Sequence, residues 1–142
     1  MRNVRHLLES KGSEVYSVAP DAPVVEAIRL MAQRGIGALV VLDGERLAGV
    51  VSERDYARKV VLQGRSSSST LVQEIMTPDV VQVGLDDTVD RCMQLVTDRR
   101  LRHLPVVDGD RVIGVVSIGD LVKAVIEDQQ EELDQLQRYI AG

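Results

Sequence analysis

The chain contains the same stretch twice, and this limits what it can fold into more than any other feature. Residues 15–59 laid over residues 80–124 at a constant offset of 65, without a gap, agree at 16 of 45 positions. Chance alone would match roughly one position in sixteen, so one supersecondary unit must fold twice. The clearest match is Gly49-Val50-Val51-Ser52-Glu53-Arg54-Asp55 against Gly114-Val115-Val116-Ser117-Ile118-Gly119-Asp120. Each begins as a run of valines suited to a buried strand. Each ends in Ser-x-x-Asp, where a strand would hand over to a helix.

Around these stretches each copy reads as β-α-β-β-α. In the first copy a short strand over Val15–Val18 leads to Asp21, a plausible helix cap, with Pro23 in the first turn, where its missing N–H costs nothing. Val24, Ala27, Ile28 and Met31 then recur at the spacing of a helix buried on one face, and Gly35 and Gly37 end it. Ala38–Leu42 and Leu47–Val51 are strands joined across Asp43-Gly44, a strong hairpin signal, and a helix over Glu53–Leu62 follows. The second copy repeats this order with Val80–Val83, the Val89/Cys92/Met93/Val96 stripe, Leu104–Val107, Val112–Val116 and a helix from Ile118. Residues 5–12 suit a lead-in helix before the first copy, and Thr70-Leu71-Val72-Gln73 suits a helical turn before the second. Residues 1–64 and 72–126 are thus the two domains, residues 65–71 a serine-rich linker, and residues 127–142 a helical extension. Leu121, Val125, Leu133, Leu136 and Ile140 give that last helix an apolar stripe, which needs a surface on its own chain or on another subunit.

Composition excludes several functions. The formal net charge is −5, and residues from Glu127 onward carry five acids against Arg138 alone, so the repeats are nearly neutral and the acidity belongs to the tail. With three tyrosines, no phenylalanine and no tryptophan, base-stacking platforms and a basic groove are both missing, so nucleic acid is not an expected partner. No long apolar run is present, so neither a membrane span nor a secretory signal is read, and the expected location is cytoplasmic. Cys92 is a single cysteine within an apolar stripe and reads as a small core residue. His6 and His103 are the only histidines; no Cys/His cluster, metal loop or glycine-rich phosphate loop appears. Catalysis and metal binding are therefore not expected, and an enzyme acting on nucleotide phosphate would lack an evident base.

Two readings of Ser-x-x-Asp remain open. The serines can cap helices with the aspartates closing a capping box. Alternatively, the same groups can face a cleft in which a helix N-terminus attracts phosphate and a carboxylate accepts hydrogen bonds from a ribose diol. Differences between the copies bear on the second reading. Gly37-Ala38 is replaced by Arg102-His103, and Arg54 by Gly119, so any two pockets are chemically unequal.

The duplication, the hairpin Leu104-Pro105-Val106-Val107-Asp108-Gly109, the two Gly-Val-Val-Ser-x-x-Asp stretches and the lead-in Glu74-Ile75-Met76-Thr77-Pro78 resemble a tandem pair of cystathionine β-synthase (CBS) domains over about residues 5–126. The resemblance implies a mixed α/β fold of two repeats packed through their sheets with pseudo-two-fold symmetry, plus the long C-terminal helix. It also implies two clefts for adenine nucleotides. Ser52 with Asp55 and Ser117 with Asp120 would hold ribose and phosphate. Ser17 and Val18, with Gln82 and Val83, would edge the base. Ile36, Gly37 and Ala38, and Arg102, His103, Leu104 and Pro105, would line the pockets, with Arg54 a phosphate candidate in the first copy only. The implied function is a free-standing regulatory sensor without a catalytic domain or obligatory cofactor. Its expected ligand is AMP or NAD, or else ADP, ATP or S-adenosylmethionine, and it would act as a homodimer or on a separate client protein. The alternative is an interaction or assembly protein that docks a partner through the terminal helix and binds no nucleotide.

Overall fold

A computed structural model describes residues 2–141. These residues divide into two compact units: Glu14–Val81 with Asp108–Ile113, and the residues up to Ser13 with Gln82–Val107 and those from Gly114 onward. The fold is mixed α/β; the first copy follows the expected β-α-β-β-α order and the second keeps its α-β-β-α part.

In the first unit β1 (Ser17–Val18), α2 (Val24–Arg34), β2 (Ala38–Asp43), β3 (Arg46–Ser52) and α3 (Glu53–Tyr56) follow one another, while the N-terminal helix α1 (Val4–Lys11) precedes them. Strand β1 runs parallel to β2, and β2 antiparallel to β3. Val24, Ala27 and Met31 of α2 bury against Leu39, Val41 and Val51 of the sheet, with Val60, Val72 and Ile75 completing the core. The second unit holds α4 (Val89–Asp98) and α5 (Ile118–Ala141), and the chain between them forms the hairpin of β4 (His103–Asp108) and β5 (Arg111–Ser117). Val89, Cys92 and Val96 are the buried residues of α4, the positions equivalent to Val24, Ala27 and Met31. Burial followed by the charge of Asp87 pushes the Cys92 thiol up to about 11, as suits a core residue.

Local differences from the expected elements have physical causes. Asp21 does not cap α2: the helix starts at Val24 after Pro23, which offers no side-chain cap. Backbone carbonyls from the linker do the work instead, with Val24 N–H donating to Thr70 at 2.8 Å and Val25 N–H to Ser67 at 2.9 Å. The strand expected over Val80–Val83 shrinks to a single parallel bridge between Val83 and Val106. In the first copy Val40 N–H donates to Tyr16; Pro105 stands at the equivalent position and has no N–H to give. Helix α3 does not continue regularly to Leu62 but widens into a π-helical turn over Ala57–Val61, with Leu62 N–H donating to Ala57. With that turn Val60 is buried and the Lys59 ammonium lies 2.9 Å from the Ile75 carbonyl.

The lead-in segments dock alike. Val72 N–H donates to Ala22 in the first unit and Val4 N–H to Asp87 in the second. Leu71 bridges Pro23, and Asn3 bridges Thr88. Helix α1 thus precedes the first repeat in sequence but belongs to the unit built on the second.

Helix α2 ends on Gly35 at φ 63°, a conformation that glycine adopts freely. Its counterpart Arg100 takes φ 55° with a side chain attached. Arg100→Gly is therefore expected to stabilise the protein by about 0.5–1 kcal/mol, the relief of left-handed strain offset by greater freedom in the unfolded chain. Urea unfolding measures this, and a less stable variant would contradict it.

Candidate functional site

Each Ser-x-x-Asp lies where the last strand of a hairpin becomes a helix, and each forms a reciprocal cap. In the first copy the Asp55 amide donates to Ser52 Oγ at 3.1 Å, while Asp55 Oδ2 accepts the Ser52 amide at 2.9 Å and the Ser52 hydroxyl at 3.0 Å. In the second, the Asp120 amide donates to Ser117 Oγ at 3.1 Å and Asp120 Oδ2 accepts the Ser117 amide at 2.8 Å. Both corners are tied in the same way to the residue just before the first strand of their hairpin: Glu53 N–H donates to the Gly37 carbonyl and Ile118 N–H to that of Arg102.

The capping reading is thus realised, and the caps leave acceptor capacity. A carboxylate offers about four lone pairs in all, of which the cap uses those on one oxygen. At Asp120 the Oδ2 also takes the Lys11 ammonium at 2.6 Å, which simultaneously donates to the Val115 carbonyl at 2.7 Å. At Asp55 the Lys59 ammonium stands 3.4 Å from Oδ1. Each aspartate therefore has a lysine beside it. Lys59 could have been suspected from its i+4 spacing to Asp55; nothing in the sequence pointed to Lys11, which reaches Asp120 from α1, 109 residues away.

The other candidates are distributed as follows. Gly37 and Ala38 sit with Ser52 and Asp55, Ala38 pairing directly with Ser52. Ile36 is half-buried at the end of α2, its N–H on the Met31 carbonyl. Ser17 and Val18 lie one strand away, paired with Val40 and Val41, and open on a cavity of about 460 Å³ that Ala22, Glu26, Arg29 and Gln33 of the α2 side also line. Arg54 is exposed. In the second copy Arg102 and Gln82 are exposed and His103 is half-buried near Asp120, whereas Val83, Leu104 and Pro105 are buried among the core residues. A cavity of about 80 Å³ beside Asp120 is lined by Lys11, His6, Ser10, Lys123 and Arg2.

Burial works against the charge of Asp120, but the Lys11 ammonium and the Ser117 amide outweigh it and hold the carboxyl below its ordinary value. Burial, and next the Lys11 charge, lowers His103, with Asp120 opposing. Both folded-state values lie below those of the unfolded chain, so both groups contribute stability that is complete above the unfolded value and lost as pH falls through the folded one. Stability is expected to decline in two stages on acidification, His103 acting below about pH 6.5 and Asp120 below the usual carboxylate range. Urea unfolding between pH 7 and pH 5, compared with His103→Gln, isolates the upper stage; an equal decline in both proteins would contradict the assignment.

Tandem repeats, each with a capped Ser-x-x-Asp corner after its hairpin, define a duplicated α/β module. The CBS domain model matches residues 4–62 and 72–127, and the chain belongs to that family. It is 47% identical over 127 residues to the CBS domain-containing protein CBSX3, mitochondrial, of Arabidopsis thaliana, covering 86% of this chain and 62% of that one. The chain thus spans less than two thirds of that relative's length. A solved protein with CBS domains from Burkholderia ambifaria MC40-6 shares 55% identity and superposes with a TM-score of 0.86, covering 89% of this chain and 96% of the other. The CBS domain pair of protein MJ0100, solved in complex with 5′-methylthioadenosine and S-adenosyl-L-methionine, shares the fold at a TM-score of 0.81 and 23% identity, covering 90% of this chain and 98% of that one. Among the described residues, no helix is long and apolar enough to cross a membrane.

Proposed function

We propose that this chain is a regulatory module that binds an adenosine nucleotide, AMP or NAD in the first instance, at its Ser-x-x-Asp corners. The observation that carries the reading is the pair of capped carboxylates. Each is held rigidly by its own helix N-terminus, each keeps an oxygen outside the cap, and each has a lysine within reach of an anionic ligand. A ribose diol on the outer oxygen and a phosphate near the lysine would use these groups without breaking the cap. The MJ0100 pair lends support to the ligand class, since its fold holds adenosine compounds. ADP, ATP and S-adenosylmethionine are the further candidates.

The module performs no chemistry in this reading; ligand binding favours one shape or dimer packing over another, and the change is read by a client protein. A cytoplasmic location belongs to the same proposal, although the Arabidopsis relative carries a mitochondrial name. Thermal unfolding against AMP, ADP, ATP, NAD, S-adenosylmethionine and GMP tests it. A ligand at about a hundred times its dissociation constant adds roughly 2.7 kcal/mol to the native state, enough to raise Tm by several degrees. Stabilisation by adenosine compounds but not by GMP is the expected result. No shift with any of them would refute the reading, and steady turnover of a nucleotide would refute its non-catalytic part.

A second reading, assembly without nucleotide binding, is favoured by the exposed apolar face of α5. In that case deletion of residues 127–142 abolishes association and added nucleotide changes nothing.

A further inference from the structure

Helix α5 has 24 residues, of which Leu121 and Ala124 are the buried ones. From Gln129 onward every described residue is exposed except Asp134, which is half-buried. Along the open face Val122, Ile126, Gln129, Leu133, Leu136 and Ile140 recur at alternating steps of four and three. This is a heptad seam, with Ile126, Leu133 and Ile140 at one core position and Val122, Gln129 and Leu136 at the other. The five apolar members are between 43% and 76% exposed. The acids Glu127, Asp128, Glu131 and Asp134 fall outside the seam.

From this spacing we infer that α5 pairs with α5 of a second copy of this chain as a parallel, in-register, two-stranded coiled coil. The inference stands independently of nucleotide binding. Two features select this partner and orientation. In-register parallel pairing places Gln129 opposite Gln129 of the partner subunit, where each amide both donates and accepts, so the one polar seam residue is satisfied. The antiparallel alignment that matches the same seam sets Gln129 against a leucine and brings the two copies of Glu132 together. Parallel pairing instead sets Glu132 beside a glutamine at the flanking position, Gln137, and no like charges meet across the seam. Covering the seam buries roughly 500 Å² per chain, about 1,000 Å² for the pair, which is the minimum for a specific interface and below the roughly 1,200–2,000 Å² of a stable one.

The test uses the full chain. Sedimentation equilibrium is expected to show a dimer, and Leu133→Asp/Leu136→Asp is expected to raise its dissociation constant about 100-fold or more, because two carboxylates from each chain must then be buried in the seam. To fix orientation, Leu136→Cys and Ile126→Cys are oxidised separately and as a mixture; native Cys92 is buried and does not compete. Disulfide-linked dimers from each variant alone support the parallel register. Linkage only in the mixture would overturn it in favour of antiparallel pairing. A monomer at the highest soluble concentration, a dimer that withstands the double aspartate substitution, or the failure of both cysteine variants to link would overturn the proposal altogether.

Discussion

The Asp55→Ala/Asp120→Ala double variant is expected to bind adenosine nucleotides at least about 100-fold more weakly than the parent chain while still unfolding cooperatively. Hydrogen bonds to a charged acceptor contribute about 1.5–3 kcal/mol each, and a ribose diol offers two donors to one carboxylate, so loss of the acceptor costs about 3 kcal/mol or more at each corner. The fold loses less. Ser52 Oγ and Ser117 Oγ still cap the helices, and what disappears is the return bond from each aspartate to the serine amide together with its lysine pairing, about 1 kcal/mol per corner. Asp55→Asn/Asp120→Asn separates charge from geometry, because it keeps an acceptor oxygen in the cap while removing the anion that faces Lys11 and Lys59. Titration of each variant with AMP and NAD measures these effects. Parent-like affinity in the alanine variant would mean that the corners are caps and nothing more.

Gly49→Ala is expected to destabilise the protein by about 2–3 kcal/mol, and Gly114→Ala by clearly less. The two glycines are equivalent in the repeat, and both are buried in β3 or β5 where a lead-in segment crosses the strand. A Cβ on Gly49 would come within 2.6 Å of the Thr77 carbonyl oxygen, which accepts the Val50 N–H at 3.1 Å while the Thr77 N–H donates to the Val50 carbonyl at 2.9 Å. Backbone cannot turn aside, so β3 and the lead-in must separate. A Cβ on Gly114 would meet the Leu8 methyl groups at 2.8 and 2.9 Å, and a leucine can change rotamer. Urea unfolding of both variants gives the difference; equal losses would contradict this account of the two contacts.

Much of the fold could be read from the residues because the duplication supplies its own control. The Val24/Ala27/Met31 stripe and the Val89/Cys92/Val96 stripe bury the same positions, and Gly44 and Gly109 both turn their hairpins at positive φ. What escaped depends on contacts between segments distant in the chain. The carbonyls of Ser67 and Thr70 cap α2, and backbone groups leave no mark on residue identity. Which repeat receives a lead-in is equally silent, since Ala22 and Asp87 offer the same carbonyl in the same place. The shortening of the first strand in the second copy was visible in principle, because Pro105 replaces Val40 and its effect is the loss of one donor. At the candidate site the serines and aspartates announced themselves by repetition. Lys11 did not, because it lies outside the repeated region and reaches Asp120 only through the docking of α1. Leu104 and Pro105 illustrate the opposite limit: the resemblance implied that they line the pocket, yet Leu104, Pro105 and Val106 are buried in succession, because β4 is covered on both faces there.

Titration calorimetry of the full chain with AMP and with NAD, after removal of any co-purified nucleotide and with GMP as the control, tests the central claim most directly. Saturable binding of an adenosine nucleotide, absent for GMP and abolished in the Asp55→Ala/Asp120→Ala variant, is the result expected. Absence of binding by either nucleotide at millimolar concentration, or binding that the double variant retains in full, would contradict it.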